Sequence, residues 1–332
     1  MKIVITDHIR ADDPLEPELA AANGIAQLEV LHVNGYGSEA EQLLRGKIED
    51  ADAIITYHET TLTRQTIQSL RKCQVISRGG VGFDNVDIQA ARECGIPVCN
   101  VPDYGTEDVA DTAFGMALTL ARGISSLNNR KRRAEGTWHH EEPLYRLRGR
   151  VFGVVGLGRI GTATALRAKA FGMDVLFYDP YREEGADKAI GVRRASSLED
   201  LLREAYIVSL HVPLTDETRE MIDADTISLM PSGSYLINTA RGQVVDTSAI
   251  PAAIASGRLA GAAVDVLPVE PPHTDDPLIV AWRDEQHPAH DRLIVNPHAA
   301  FYSEEGRYEL RRKTVESCVR VLKGGSPRNV VN

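Results

Sequence analysis

Cysteine is scarce in this 332-residue sequence, which has four cysteines and no C-x-x-C pair among them. This pattern argues against a disulfide framework or a zinc site and is typical of free thiols in a reducing compartment. Long hydrophobic runs are also lacking, since none approaches the roughly 18–20 residues of a membrane span. The segment from Met1 to Asp7 resembles a strand, not a signal peptide with a long apolar core. We therefore expect a cytoplasmic protein that does not enter a membrane.

Positive charge is in deficit, because 37 Lys and Arg residues stand against 47 Asp and Glu residues, giving a formal net charge of −10. Without a basic stripe to offset this charge, we expect no nucleic-acid partner. The hydrophobic share of 43% and the charged share of 25% are typical of soluble globular proteins. They argue against disorder, collagen or a coiled coil as the main architecture. The length allows two domains of about 100–200 residues each.

Short β-branched runs alternate with segments of helical period, which is typical of parallel sheets with crossover helices. The runs form two series, separated by an Ala-rich helical pattern over Thr106–Leu127 and a polar stretch, Asn128–Arg150, interpreted as a surface excursion. Another helical pattern covers Ser303–Leu322. The second series has enough strands for a complete doubly wound dinucleotide-binding fold. The predicted strands are Lys2–Ile5, Leu28–Val33, Ala53–Tyr57 and Val75–Ser77, then Val151–Val155, Asp174–Tyr178, Ala205–Leu210, Ser234–Asn238, Ala262–Val266 and Leu293–Asn296.

A G-x-G-x-x-G motif formed by Gly156, Gly158 and Gly161 joins the first strand of the second series to a helical pattern. Such glycines allow a tight turn, close approach of a pyrophosphate and close packing of the helix, whose N-terminus binds phosphate. Asp179 ends the next strand, 18 residues after Gly161, where its carboxylate would accept hydrogen bonds from ribose hydroxyls. Its charge would repel a 2′-phosphate, so the sequence favours NAD over NADP, with Arg182 nearby weakening that preference.

Three charged side chains follow successive strands of the second series: Arg241, Glu270 and His298. Ligands of open α/β sheets bind beyond the carboxyl ends of the strands. Arginine matches a substrate carboxylate, and histidine exchanges protons near neutral pH. A glutamate bonded to that imidazole would orient it and favour its protonated form. With a nicotinamide, the set predicts hydride transfer to a 2-oxo acid, and Asp265, which also ends a strand, is expected to contact the cofactor.

A glycine-rich turn, Ser77–Asn85, follows a strand of the first series. Its backbone N–H groups would form a nest for a small carboxylate, but a tight turn without a ligand explains the glycines equally well. His139 and His140 follow Trp138 in the polar stretch, and we interpret them as surface or interface residues because neither pairs with a strand end.

Taken together, these motifs resemble the D-2-hydroxyacid dehydrogenase family over nearly the whole chain. The motifs that carry the resemblance are Gly79–Asp87, Gly156–Gly161, Asn238–Gly242, Asp265–Pro271 and Asn296–Ala300. Within the family, the chain is most similar to the C-terminal-binding-protein branch, although Phe301 stands where that branch typically has tryptophan. The stretches shared with this branch are Tyr57–His58 with Thr61–Thr63, Arg167–Ala170, Val175–Tyr181 and Pro297–Glu304.

The resemblance implies an α/β protein in which a Rossmann-type NAD domain, residues 104–298, is inserted in a flavodoxin-like split substrate domain, residues 1–103 plus 299–332. It also implies hinges at 100–104 and 297–301 for closure over the substrate. A homodimer is expected through the long helix after Tyr104 and the region near Trp138.

The family's functional residues fall on particular positions of this sequence. The resemblance implies a catalytic set of Arg241, Glu270 and His298, and a substrate-carboxylate loop at Val81 and Gly82, with Arg241 and His298 also binding substrate. No metal site is expected. The implied NAD contacts are Gly156, Gly158, Arg159, Ile160, Gly161, Asp179, His211, Val212, Pro213, Thr239, Ala240 and Asp265.

The favoured function is reversible hydride transfer between NADH and a small 2-oxo acid of the glyoxylate, hydroxypyruvate or phosphoglycerate type. One alternative is a corepressor-like scaffold that uses NAD for sensing or dimerisation, with little turnover. The presence of Arg241, Glu270 and His298 favours catalysis over that alternative. Another is a dehydrogenase of a different substrate class, acting on phosphite or formate; formate oxidation needs no general base, so dependence on His298 distinguishes it.

Overall fold

The computed structural model describes residues 1–7, 12–33, 35, 37–133 and 143–332. The chain divides into two compact units, residues 1–105 with 303–332 (the first unit) and residues 106–302 (the second unit). The units divide after residues 105 and 302, whereas the predicted domain boundaries follow residues 103 and 298. Both units consist of parallel strands with helical connections, as the sequence predicts for an α/β protein.

In its described part, the first unit contains a five-stranded parallel sheet. Its elements are β1 (Lys2–Ile5), α1 (Glu16–Ala22), β2 (Gln27–Val30), α2 (Gly37–Leu44), β3 (Ala53–Thr56), α3 (Arg64–Gln68), β4 (Val75–Arg78), α4 (Ile88–Glu93), β5 (Val98–Asn100) and the C-terminal helix (Glu304–Leu322). The strand order, β2-β1-β3-β4-β5, is that of flavodoxin-like folds. Alternate strand residues face opposite sides, so Ile3 and Ile5 pack with the C-terminal helix while Val4 joins the other core layer.

In the second unit, the described residues form a seven-stranded parallel sheet. Its elements are α5 (Thr106–Ala121), α6 (Ile124–Arg132), β6 (Val151–Val155), α7 (Arg159–Ala170), β7 (Asp174–Tyr178), α8 (Ala186–Ile190), β8 (Arg193–Arg194), α9 (Leu198–Glu204), β9 (Ile207–Leu210), α10 (Ala224–Leu229), β10 (Ser234–Asn238), α11 (Ala249–Ala255), β11 (Leu259–Val264), α12 (Pro277–Arg283) and β12 (Leu293–Val295). The strand order is β12-β11-β10-β9-β6-β7-β8. The chain reverses its direction of travel across the sheet between β6 and β9, where doubly wound folds bind ligands.

The helical pattern predicted as one helix over Thr106–Leu127 is two helices. Gly123 has φ +60°, a left-handed conformation that glycine adopts readily, and it separates α5 from α6. Helix α6 continues to Arg132, into the stretch interpreted as a surface excursion. Trp138, His139 and His140 lie outside the described residues. Among the helices described, none is long and apolar enough to pass through a membrane.

Candidate active site

The three glycines between β6 and α7 have different local requirements. Gly156 has φ +90°, and a Cβ atom there would lie 2.6 Å from the His211 carbonyl oxygen. A Cβ atom at Gly161 would lie 2.0 Å from the Gly156 carbonyl oxygen. At Gly158, by contrast, the nearest atom to such a Cβ is Arg182 Nη2 at 4.0 Å. Packing therefore requires the first and third glycines, whereas the second leaves space in which a ligand can approach the backbone.

Helix α7 begins beside that space. Gly158 occupies its N-cap position, and no side chain caps the helix there. The first-turn N–H groups and the positive end of the helix dipole are thus suited to an anion. Arg159 and Ile160, two of the predicted NAD contacts, begin this helix.

A cavity of about 740 Å³ lies at the carboxyl ends of β6, β7 and β9. Its volume falls within the usual range for small-molecule and cofactor sites. Six predicted NAD contacts line it: Gly156, Gly158, Asp179, His211, Val212 and Pro213.

Asp179 fixes the turn that follows β7. Its Oδ2 accepts a hydrogen bond from the Leu157 N–H (N···O 2.8 Å), and its Oδ1 accepts one from the Tyr181 N–H (3.0 Å). Arg182 Nε lies 3.8 Å from Asp179 Oδ2. The carboxylate therefore joins the glycine turn to the end of β7, and the neighbouring guanidinium offsets part of its charge.

His298 and Glu270 form a hydrogen-bonded pair, with 2.7 Å between His298 Nδ1 and Glu270 Oε2. Glu270 Oε1 also accepts the Leu267 N–H at 2.8 Å. Burial raises the Glu270 pKa, but the hydrogen bond and charge of His298, the Leu267 N–H and the charge of Arg241 together bring it below its ordinary value. The carboxylate is therefore ionised at neutral pH and suited to orienting an imidazole.

Asp265 shapes the turn that carries His298. Its two carboxylate oxygens accept the Ala299 N–H at 2.9 Å and the Ala300 N–H at 3.0 Å, and its carbonyl oxygen accepts the His298 N–H at 2.7 Å. His298 has φ +54°, unusual for a residue with a side chain, and these bonds hold it there. Burial raises the pKa of Asp265, and the two N–H groups only partly oppose that effect.

The turn that carries Arg241 is shaped by Asn238, which the sequence did not single out as a site residue of its own. The buried Asn238 amide donates to the Arg241 carbonyl oxygen at 2.9 Å and accepts the Ala240 N–H at 3.0 Å. Arg241 Nη1 donates to the Ala240 carbonyl oxygen at 2.8 Å. Local side-chain bonds thus determine the path of the backbone around Arg241.

The Arg241 turn packs directly against the segment before Glu270. A Cβ atom at Gly242 would lie 1.9 Å from the Leu267 carbonyl carbon, so only glycine fits. Gln243 Nε2 donates to the Pro268 carbonyl oxygen at 2.8 Å. The structure therefore brings Arg241, Glu270 and His298 together in the second unit, as the strand-end rule predicts.

Two buried polar atoms among the predicted NAD contacts, Thr239 Oγ1 and His211 Nδ1, have no hydrogen-bond partner in the described part of the chain. Burial lowers the pKa of His211 to about 3, so this imidazole is neutral, and its Nε2 lies 2.9 Å from Ser209 Oγ. Buried polar atoms are normally satisfied, so these two point to a bound polar group. With the open space at Gly158 and the uncapped α7, they fit a dinucleotide.

Val81 and Gly82 lie in the first unit, after β4, and their substrate role stays a prediction. Local structure explains two of the preceding glycines, since a Cβ atom at Gly79 would lie 2.3 Å from the Tyr57 ring and Gly80 has φ +146°, which residues with a side chain rarely adopt. The described residues contain no cluster of His, Cys, Asp and Glu suited to holding a metal ion.

Comparison with known proteins extends these observations. Residues 114–300 match the family model of the D-isomer specific 2-hydroxyacid dehydrogenase NAD-binding domain, which confirms the predicted NAD-binding fold. A D-3-phosphoglycerate dehydrogenase of Methanocaldococcus jannaschii is 35% identical across 100% of this chain and 59% of its own length. A glyoxylate reductase of Korarchaeum cryptofilum is 36% identical across 88% of this chain and 86% of its own. This chain thus spans about three fifths of the first relative and most of the second.

One solved structure is similar to this chain over nearly its whole length. The D-lactate dehydrogenase of Aquifex aeolicus, complexed with NAD and lactic acid, superimposes with a TM-score of 0.82 at 31% identity, covering 97% of this chain and 96% of that one. The likeness to the C-terminal-binding-protein branch stays a prediction. Since the family model covers more than half of the chain and the reductase matches most of both lengths, the chain belongs to the D-isomer specific 2-hydroxyacid dehydrogenase family.

Proposed function

We propose that this chain is an NAD-dependent dehydrogenase that interconverts a small 2-oxo acid and the corresponding D-2-hydroxy acid. The observation that carries the proposal is the His298–Glu270 pair, 2.7 Å between Nδ1 and Oε2, joined to the Arg241 turn in the unit that contains the glycine motif. The relatives named a phosphoglycerate dehydrogenase, a glyoxylate reductase and a lactate dehydrogenase support substrates of the glyoxylate, hydroxypyruvate or phosphoglycerate type. The scaffold and the phosphite or formate alternatives find no support among these relatives.

In the reductive direction, Arg241 binds the substrate carboxylate through two parallel N–H bonds and draws electron density from the adjacent carbonyl. Glu270 engages Nδ1 of His298, so Nε2 is the nitrogen that delivers a proton to the carbonyl oxygen. NADH, when bound, supplies the hydride to the carbonyl carbon. In the oxidative direction, His298 takes the hydroxyl proton and Glu270 stabilises the resulting imidazolium.

The cofactor would be held by residues of the second unit. The α7 N-terminus, with Arg159 and Ile160, suits the pyrophosphate, and Asp179 suits the ribose. The remaining proposed contacts are Gly156, Gly158, Gly161, His211, Val212, Pro213, Thr239, Ala240 and Asp265. We also propose that the Val81 and Gly82 N–H groups bind the substrate carboxylate.

Replacing His298 tests the proposal. We expect His298→Ala to lower kcat for 2-oxo acid reduction by roughly 10²–10⁴, with NADH affinity within about twofold of wild type. His290→Ala is the matched control, because that imidazole bonds the Trp282 carbonyl oxygen in the same unit. Unchanged turnover in His298→Ala would remove this residue from proton transfer, and loss of NADH binding would indicate a structural role.

Further proposals concern assembly and location. We propose that the first unit is the substrate domain and the second the NAD domain, with hinges at 100–104 and 297–301.

We propose a homodimer, supported by large apolar side chains that are about half exposed in the second unit, Ile124, Leu166 and Phe171. Sedimentation at the monomer mass would contradict a homodimer. The four free cysteines support a reducing, cytoplasmic location.

A further inference from the structure

Asp7 is a buried carboxylate to which the proposed reaction gives no role. It lies two residues after the end of β1 and has no exposed surface. Its Oδ1 accepts hydrogen bonds from the Tyr57 N–H at 2.8 Å and the Thr6 hydroxyl at 2.7 Å, and its Oδ2 accepts the Glu59 N–H at 2.8 Å. Within the described residues it forms no ion pair. Two of its donors therefore belong to the backbone of the loop after β3, residues 57–60.

Burying a carboxylate is costly, and several hydrogen-bond donors around it offset that cost. Here the donors include two N–H groups of one loop, so the carboxylate satisfies backbone that would otherwise be buried unpaired. The same loop is held again at Thr60, whose hydroxyl donates to the Val33 carbonyl oxygen at 3.0 Å. Loop 57–60 is thereby fixed at the carboxyl edge of the first unit's sheet.

Loop 57–60 is bonded in turn to the glycine-rich turn after β4. Asn85 Nδ2 donates to the carbonyl oxygens of Tyr57 and Thr60, both at 2.7 Å. Asn85 Oδ1 accepts Arg78 Nε at 3.2 Å, and Arg78 Nη1 donates to the Gly79 carbonyl oxygen at 3.0 Å. The end of the glycine-rich turn is thus bonded directly to the loop that Asp7 holds, and its start is bonded to Asn85.

The Tyr57 side chain adds a direct contact between the two loops. Its ring lies so close to Gly79 that a Cβ atom there would be 2.3 Å from Cε1. The Gly79 N–H also donates to the Thr56 carbonyl oxygen at 2.8 Å. A displacement of Tyr57 therefore moves the backbone that leads into Val81 and Gly82.

We propose that Asp7 is a positioning residue for substrate binding, holding loop 57–60 and, through Asn85 and Tyr57, the glycine-rich turn that carries Val81 and Gly82. The inference rests on the proposed function, in which these two N–H groups bind the substrate carboxylate. Asp7 itself contacts neither substrate nor cofactor in this scheme. Its effect is therefore expected on the affinity for the 2-oxo acid and not on NADH.

The variant Asp7→Asn tests the proposal because it keeps the shape but leaves one acceptor oxygen. Either Tyr57 or Glu59 must then face an amide NH₂ group with its N–H, and the loop shifts. We expect KM for the 2-oxo acid to rise about tenfold, with kcat and KM for NADH within about twofold of wild type. Unchanged KM for the 2-oxo acid in a folded, active variant would overturn the proposal.

Asp52→Asn is the matched control. Asp52 precedes β3 at the opposite, amino edge of the same sheet, where it accepts the Lys2 N–H at 2.6 Å and its side chain is 15% exposed. The same chemical change there should leave KM for the 2-oxo acid within about twofold of wild type. A rise equal to that in Asp7→Asn would show a general effect on the first unit and overturn the positioning role.

Hydrogen exchange measures the link between loop 57–60 and the glycine-rich turn independently of enzyme activity. We expect Asp7→Asn to speed exchange in peptides covering both 57–60 and 79–85, and Asn85→Ala to do the same should Asp7→Asn fail to fold. An inactive wild-type protein would refute the proposed function, but the exchange data would still show whether Asp7 holds the glycine-rich turn through loop 57–60. Unchanged exchange at 79–85 in the folded variants would overturn the positioning role of Asp7.

Discussion

Replacing Glu270 with glutamine removes the negative charge of the pair with His298. Glutamine keeps one oxygen to accept the Nδ1–H bond, while its NH₂ group then faces the Leu267 N–H, so the carboxylate charge is lost together with that one backbone bond. The two atoms are 2.7 Å apart, which places the charge centres about 4 Å apart. The variant therefore tests how much the carboxylate stabilises a protonated imidazole.

The magnitude follows from Coulomb's law. At 4 Å the interaction is about 4 kcal/mol for an effective dielectric constant of 20 and about 1 kcal/mol in water. The side chains are 25% and 33% exposed, so solvent screens the pair and the lower part of this range applies. We expect a loss of about 1.4–2.7 kcal/mol of transition-state stabilisation, or roughly 10–100-fold in kcat/KM for 2-oxo acid reduction.

The assay is the initial rate of NADH oxidation at several pH values, with NADH affinity measured separately by fluorescence. Glu285→Gln, at an exposed glutamate of the same unit, serves as the control. If kcat/KM of Glu270→Gln stayed within about twofold of wild type at every pH measured, the role of the carboxylate charge would be refuted. A parallel loss of NADH affinity would indicate that the substitution disturbs the fold instead.

Three further predictions concern anions and buried charge. Arg241→Lys should lower kcat/KM for the 2-oxo acid at least tenfold, because lysine keeps the charge but loses the planar two-point contact; near-normal efficiency would remove Arg241 from carboxylate binding. Asp179→Asn should raise the NADPH/NADH ratio of kcat/KM about tenfold, since it removes a charge that repels a 2′-phosphate, and an unchanged ratio would contradict this. Burial raises the pKa of Asp7 from 3.8 to about 6, so folding favours its neutral form. Measured by urea unfolding, the free energy of unfolding of wild type should therefore fall by about 3 kcal/mol relative to that of Asp7→Asn as the pH rises from about 3.8 to 6. A difference between the two proteins that does not change with pH would be inconsistent with that pKa.

Repeated local patterns made the nucleotide-binding half predictable. The glycine motif between an apolar strand and a helix specifies a turn whose geometry few other residues permit, as the contacts at Gly156 and Gly161 demonstrate. The grouping of Arg241, Glu270 and His298 followed from a topological rule, because parallel strands end at the same edge of a sheet. The rule needed only the strand assignments to hold.

Short elements and long-range bonds were less predictable. Strand β8 has two residues, too few for a periodic signal, and helix α12 lies in the proline-rich segment 271–291, started by an Asp276 cap. The bond between Asp7 and the Tyr57 N–H joins positions 50 apart in sequence. The hydrogen bond from the Gln243 side chain to the Pro268 carbonyl oxygen likewise belongs to no sequence motif. Such contacts depend on how loops meet in space, which local sequence does not encode.

The proposed activity of this chain is the reduction of 2-oxo acids to D-2-hydroxy acids with NADH. The most direct measurement is kcat/KM for glyoxylate, hydroxypyruvate, pyruvate and longer 2-oxo acids, with NADH and NADPH in parallel and chiral analysis of the product. We predict NADH oxidation with at least one of these acids, a D-configured product where the product is chiral, and loss of activity in His298→Ala. An absence of NADH oxidation with every acid, or an L-configured product, would contradict the proposed activity.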